Sequence, residues 1–104
     1  MLSSTIVNAL SNAKKYPYIL RVGVFGSHAR NEATATSDLD IMIDYNENSD
    51  GIDVLDQMGG LMEDIEETIT GKIDYMTWYG LMQSKDLYGF RDEIMKEIIW
   101  VYES

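Results

Sequence analysis

Tyr18-Ile-Leu-Arg-Val-Gly-Val-Phe25, closed by Gly26-Ser27, is followed ten residues later by Asp38-Leu-Asp-Ile-Met-Ile-Asp-Tyr45. The first stretch is rich in β-branched and aromatic residues and stops at a glycine, the pattern of a buried strand. The second alternates. Leu39, Ile41 and Ile43 point to one face, and Asp38, Asp40, Met42 and Asp44 to the other. Between them, Ser27 to Ala33 suit one short helical turn and Thr34 to Ser37 a polar link.

Working outward, Ser3 or Ser4 caps a helix running to about Lys15, with Ile6, Val7, Leu10 and Ala13 on one face and Pro17 as its stop. Asn46 to Gly51 is turn chemistry. Ile52 to Ile69 is the clearest helix. Val54, Leu55, Met58, Leu61, Met62, Ile65 and Ile69 recur at helical steps, and acids fill the positions between. Gly59-Gly60 weakens this helix by about 1 kcal/mol per glycine, which close packing against the sheet or against a partner would explain, the sheet being the expected one. Gly71 ends it as the C′ residue. Lys72 to Thr77 reads as a third strand and Asp86 to Met95 as a last helix, with Leu87, Phe90, Ile94 and Met95 apolar. Ile98 to Tyr102 suits either a final strand or a continuation of that helix. The order predicts an α/β chain, a small mixed sheet with helices packed mainly on one face. Residues 1–104 form a single domain.

Composition narrows the function. Eight Lys and Arg stand against eighteen Asp and Glu, a net charge of −10. A uniformly basic grip on nucleic acid is therefore not expected. The chain has no cysteine, which excludes disulfides, thiolate metal sites and a cysteine nucleophile. No long apolar run suggests a membrane span, and the first residues do not read as a secretory leader, so a cytoplasmic location is expected. Ten acids against Lys72 alone lie between Asp44 and Asp74. That segment is either a docking surface for a basic protein or a solvated helix face.

The chemistry concentrates at Gly26-Ser27 and Asp38-Leu39-Asp40. Gly26 lets backbone approach a phosphate closely, Ser27 adds a hydroxyl donor, and Arg30 a charge-assisted contact. Period 2 puts the Asp38 and Asp40 carboxylates on one face, two hard oxygen ligands suited to Mg²⁺ carried with a nucleoside triphosphate. Asp74 joins them if the second and third strands are neighbours, which gives room for two metal ions. His28 reads as a solvated loop residue, Lys14, Lys15 and Lys72 as solvated, and Trp78, Tyr79, Trp100 and Tyr102 as core aromatics.

Gly26-Ser27, ten residues and Asp38-x-Asp40, with Asp74 beyond, resembles the signature of the DNA polymerase β-type nucleotidyltransferase superfamily. The Gly26-Ser-His-Ala-Arg30 turn, Ser37-Asp-Leu-Asp40, Phe90-Arg-Asp-Glu-Ile-Met-Lys-Glu97 and the apolar tail Ile98 to Tyr102 are similar to the minimal nucleotidyltransferase antitoxins of HEPN ribonuclease toxins. The resemblance runs from Tyr18 to Tyr102 and implies a polymerase β palm-like fold. It implies that Asp38 and Asp40 bind two Mg²⁺ ions. Asp74 completes one metal site and assists the acceptor hydroxyl, while Gly26 and Ser27 hold the triphosphate of ATP. The implied reaction is AMP transfer to a tyrosine of a cognate HEPN toxin, in an assembly with it. Asn31 stands where many relatives have glycine, a departure that asparagine's tolerance of left-handed backbone accommodates. Two other functions compete with this one: neutralising the toxin by occlusion alone, and nucleotidylating a small molecule of the aminoglycoside type.

Overall fold

The Ser3 side chain accepts a hydrogen bond from the Ile6 amide at 3.2 Å and starts α1 (Ser4–Leu10). The structure, a computed structural model, describes residues 2–86 and 89–104. The helix expected to reach Lys15 tightens into a 3₁₀ turn over Ser11–Lys15. There the Ser11 hydroxyl and the Asn12 side-chain amide donate back to the carbonyls of Val7 and Ala9, competing with the α-helical ladder. Ile6, Ala9, Leu10 and Ala13 are buried, whereas Val7 is exposed, so the apolar face runs through Ala9 instead.

β1 (Ile19–Phe25) pairs antiparallel with β2 (Leu39–Tyr45), and β3 (Ile73–Thr77) lies parallel to β2. The C-terminal segment is a strand, β4 (Ile99–Glu103), antiparallel to the free side of β1. The order β3-β2-β1-β4 makes a mixed sheet of four strands. A parallel pair requires a long crossover. α2 (Gly51–Thr68) supplies it, capped by Asp50, which accepts from the Ile52 amide at 2.8 Å. Its cap at the other end is Ile69, so Gly71 lies two residues past the cap, not at C′.

α1 and α2 cover the face that presents Val22, Val24, Leu39, Ile41 and Ile43, with Leu10, Leu61 and Ile65 fully buried there. The apolar stripe of α2 is narrower than its sequence suggests. Leu55 is exposed and lines an open cleft with Tyr45, Val54 and Met58. The paired glycines do not touch the sheet: Gly60 lies against the Tyr16 ring, and Gly59 faces open space.

The other face carries a second, smaller core. Phe25, Met42, Leu81 and Ile94 are buried there with Met76, Trp78 and Trp100 packed against them. Its helices are short: α3 (Trp78–Gln83), capped by Thr77, and α4 (Phe90–Glu97). α3 has no counterpart among the sequence expectations. α4 was expected to start at Asp86, but it starts at Phe90 after Gly89, whose φ of +72° interrupts the helix; Leu87 lies outside the described residues. Trp78 and Trp100 meet edge to face at 5.6 Å beneath the Arg21 guanidinium, which also pairs with Asp44 at 2.9 Å. Tyr79 stands apart from this packing and is exposed. Among the described residues no helix is long and apolar enough to cross a membrane.

Candidate active site

The crossover through α2 positions the site. Because β3 runs parallel to β2, the two strands begin at the same end of the sheet, with Asp40 opposite Asp74. β1 runs the other way and finishes there, with Phe25 opposite Asp40. The Gly26-Ser27 turn therefore leaves the sheet beside the aspartates. Neighbouring strands are about 4.8 Å apart. Equal register puts Asp40 and Asp74 on one face, away from Leu39, Ile41, Ile73 and Tyr75. Asp38 immediately precedes β2, half-buried, with the Lys72 ammonium 3.5 Å from its carboxylate. Lys72, expected to be merely solvated, is thus exposed yet at the edge of the site.

Crowding has an electrostatic cost. Burial first, then the charges of Asp74 and Asp38, raise the Asp40 pKa above the ordinary carboxylate value. His28 pulls the other way, and Glu97 adds to the rise. Mutually repelling carboxylates with hard oxygen donors fit a divalent cation such as Mg²⁺. Among the described residues, however, no three His, Cys, Asp or Glu side chains are grouped so that they could hold a metal ion by themselves. Mg²⁺ held by one or two carboxylates plus substrate phosphates and water needs no such group.

The turn is built for close approach. Gly26 has φ +76°, and a Cβ there would fall onto the Asp40 carboxylate, so only glycine lets the turn lie against it. The Arg30 amide donates to the Gly26 carbonyl at 3.1 Å and the Glu32 amide to the Ser27 carbonyl at 2.9 Å, closing a hydrogen-bonded turn in place of the helical turn expected over Ser27 to Ala33. Asn31 takes φ 60°, a left-handed conformation that asparagine tolerates. Ser27 is half-buried in this turn. His28 is half-buried too, lining a small cleft with Ser3, Ile6, Asn31 and Thr34.

Arg30, expected at a phosphate, rests on two carboxylates. Its Nη1 lies 2.9 Å from Glu97 Oε2 and its Nε 3.2 Å from Glu32. The hydrogen bond to Glu32, more than the charge of Glu97, raises its pKa further above the usual guanidinium value. Glu97 also accepts from the Gly26 amide at 2.5 Å. Sequence reading did not single out Glu97. The available signal was a carboxylate in the last turn of a helix, where the helix dipole favours a cation.

The family model "Polymerase beta, Nucleotidyltransferase" matches residues 7–104. The chain belongs to this nucleotidyltransferase family. Two relatives from Methanocaldococcus jannaschii, each named as a candidate protein adenylyltransferase, match parts of it. One is 33% identical over 60 residues, 58% of this chain and 60% of that protein. The other is 65% identical over 26 residues, 25% of this chain and 26% of that protein. The match spans less than two thirds of either relative's length. Among solved structures, a toxin–antitoxin with AMP-PNP superposes with a TM-score of 0.59 at 14% identity, covering 94% of this chain and 73% of that one. That likeness is one of fold. A candidate minimal nucleotidyltransferase superposes with a TM-score of 0.56 at 25% identity, covering 88% of this chain and 84% of that one.

Proposed function

We propose that this nucleotidyltransferase-family chain acts as one minimal domain, transferring AMP from ATP to a tyrosine of a HEPN-type ribonuclease toxin and thereby serving as its antitoxin. The observation that carries this reading is the pairing of Asp40 with Asp74 beside the Gly26-Ser27 turn. Asp38, Asp40 and Asp74 are the residues that would hold two Mg²⁺ ions, which when bound neutralise triphosphate charge and ease deprotonation of the acceptor hydroxyl. Gly26 leaves room for the triphosphate to approach backbone, and Ser27 offers its hydroxyl. Asp74, the exposed member of the three, faces an arriving acceptor and takes the proton of its hydroxyl. The bond from the tyrosine oxygen to the α-phosphorus forms as the bond to the pyrophosphate oxygen breaks, and pyrophosphate leaves. The names of the two archaeal relatives support a protein acceptor, and the toxin–antitoxin of similar fold with AMP-PNP supports an adenine nucleotide. A reaction that consumes ATP fits a cytoplasmic location.

One feature favours occlusion as a second reading. Ile52 and Leu55 are 72% and 69% exposed on α2, beside the acids Asp53 and Asp56. This is a surface suited to a basic partner. Incubation of the chain with Mg²⁺, α-labelled ATP and the toxin separates the two. Label on the toxin, reduced at least about a hundredfold by Asp38→Asn with Asp40→Asn, is the expected result. Neutralisation without label, equally strong in the double variant, would establish occlusion instead.

A further inference from the structure

Glu97 is a carboxylate at the end of α4, where the dipole favours the opposite charge, and its side chain is only 18% exposed. Its Oε2 accepts from the Gly26 amide at 2.5 Å and from Arg30 Nη1 at 2.9 Å, with Oε1 3.3 Å from the same nitrogen. One carboxylate therefore grips both ends of the Gly26–Arg30 turn, and Gly26 in turn lies against the Asp40 carboxylate. The platform behind Glu97 is fixed. Ile94 of the same helix is buried in the second core, and Arg91 donates to the carbonyls of Leu81, Met82 and Ser84.

We propose that Glu97 is a positioning residue, which through Gly26 and Arg30 sets the Gly26-Ser27 turn against Asp40 so that triphosphate and carboxylates meet in register. This rests on the nucleotidyltransferase reading above. A bare carboxylate beside a phosphate turn would repel the substrate. Arg30, shared between Glu97 and Glu32, offsets part of that charge, and the arginine's work is to hold the turn. The opposite arrangement, Glu97 as a plug occupying the place of a phosphate, predicts tighter nucleotide binding once the carboxylate is removed.

The test is calorimetric titration of the full chain with Mg²⁺ and AMP-PNP, together with amide NMR spectra, for wild type, Glu97→Ala and the nearly isosteric Glu97→Gln. Glu97→Ala is expected to weaken binding about tenfold or more, the worth of a charge-assisted hydrogen bond. The amide signals of Gly26 to Arg30 and Asp40 should shift with it. Glu97→Gln keeps an acceptor for Gly26 but loses the ion pair, so it should fall between, about threefold weaker than wild type. If Glu97→Ala does not fold, Glu97→Gln decides alone. Variants that bind within about twofold of wild type, or more tightly, overturn the proposal. A wild-type chain that binds no Mg²⁺-nucleotide overturns the nucleotidyltransferase reading and this inference with it, whereas a wild type that binds while the variants match it overturns this inference alone.

Discussion

The Tyr16 hydroxyl donates to Asp64 Oδ2 at 2.5 Å, and the Lys15 ammonium lies 3.0 Å from the same oxygen, tying the 3₁₀ turn to α2. The bond shifts both partners. The hydrogen bond from Tyr16, with help from Lys15, holds the Asp64 carboxyl below the ordinary carboxylate value. The Tyr16 phenol, by the same bond and then by burial, is pushed up to about 12. A depressed carboxylate pKa stabilises the fold above the unfolded value and loses that contribution as pH falls through the folded one. A raised phenol pKa stabilises the fold below 10.0 and loses that contribution as pH rises through about 12. The gap in Tm between wild type and Asp64→Asn should therefore be widest on the neutral plateau. It should close on both sides, in acid and above pH 10.0. A gap independent of pH would show that the bond is not what Asp64 contributes.

At the scale of elements, α2 contains its own internal control. Gly59 faces open space, so Gly59→Ala should stabilise the chain by about 0.5–1 kcal/mol through helix propensity. Gly60 differs, because a Cβ there meets the Tyr16 ring at 2.9 Å. Gly60→Ala should destabilise by roughly 1–3 kcal/mol, the cost of overpacking, and urea denaturation of the two variants checks both signs. Of these adjacent glycines only Gly60 is held to glycine by packing, and no periodicity distinguishes the two. The elements that were legible are those whose period is long enough to read: the alternation of Leu39, Ile41 and Ile43 in β2 and the apolar steps of α2. α3 escaped because it spans six residues and includes Gly80, and its cap on Thr77 looks like the end of a strand. The place of Asp38, Asp40 and Asp74 on one face followed from parity, but their adjacency depended on β2 and β3 being neighbours, a tertiary fact. Glu97 was legible only as a carboxylate in the last turn of a helix, not as a partner of the turn. Its partner Gly26 is 71 residues away, and nothing local to α4 marks the contact.

At the scale of the molecule, the net charge of −10 has two separate consequences. Part of it is gathered where β1 ends and where β2 and β3 begin, and in the proposed reaction a bound cation would relieve it. Another part lies on the outward face of α2, where Asp53, Asp56, Glu63 and Glu67 are exposed and available to a basic partner. The sheet joins these functions, because the crossover that places the acidic helix on one face also aligns Asp40 with Asp74 on the other. The most direct measurement of this account is calorimetric titration of AMP-PNP into the wild-type chain and into Asp40→Asn, each with Mg²⁺ and with EDTA. Binding that needs both Mg²⁺ and the Asp40 carboxylate is the predicted result; nucleotide binding of equal strength in EDTA, or in Asp40→Asn, would contradict it.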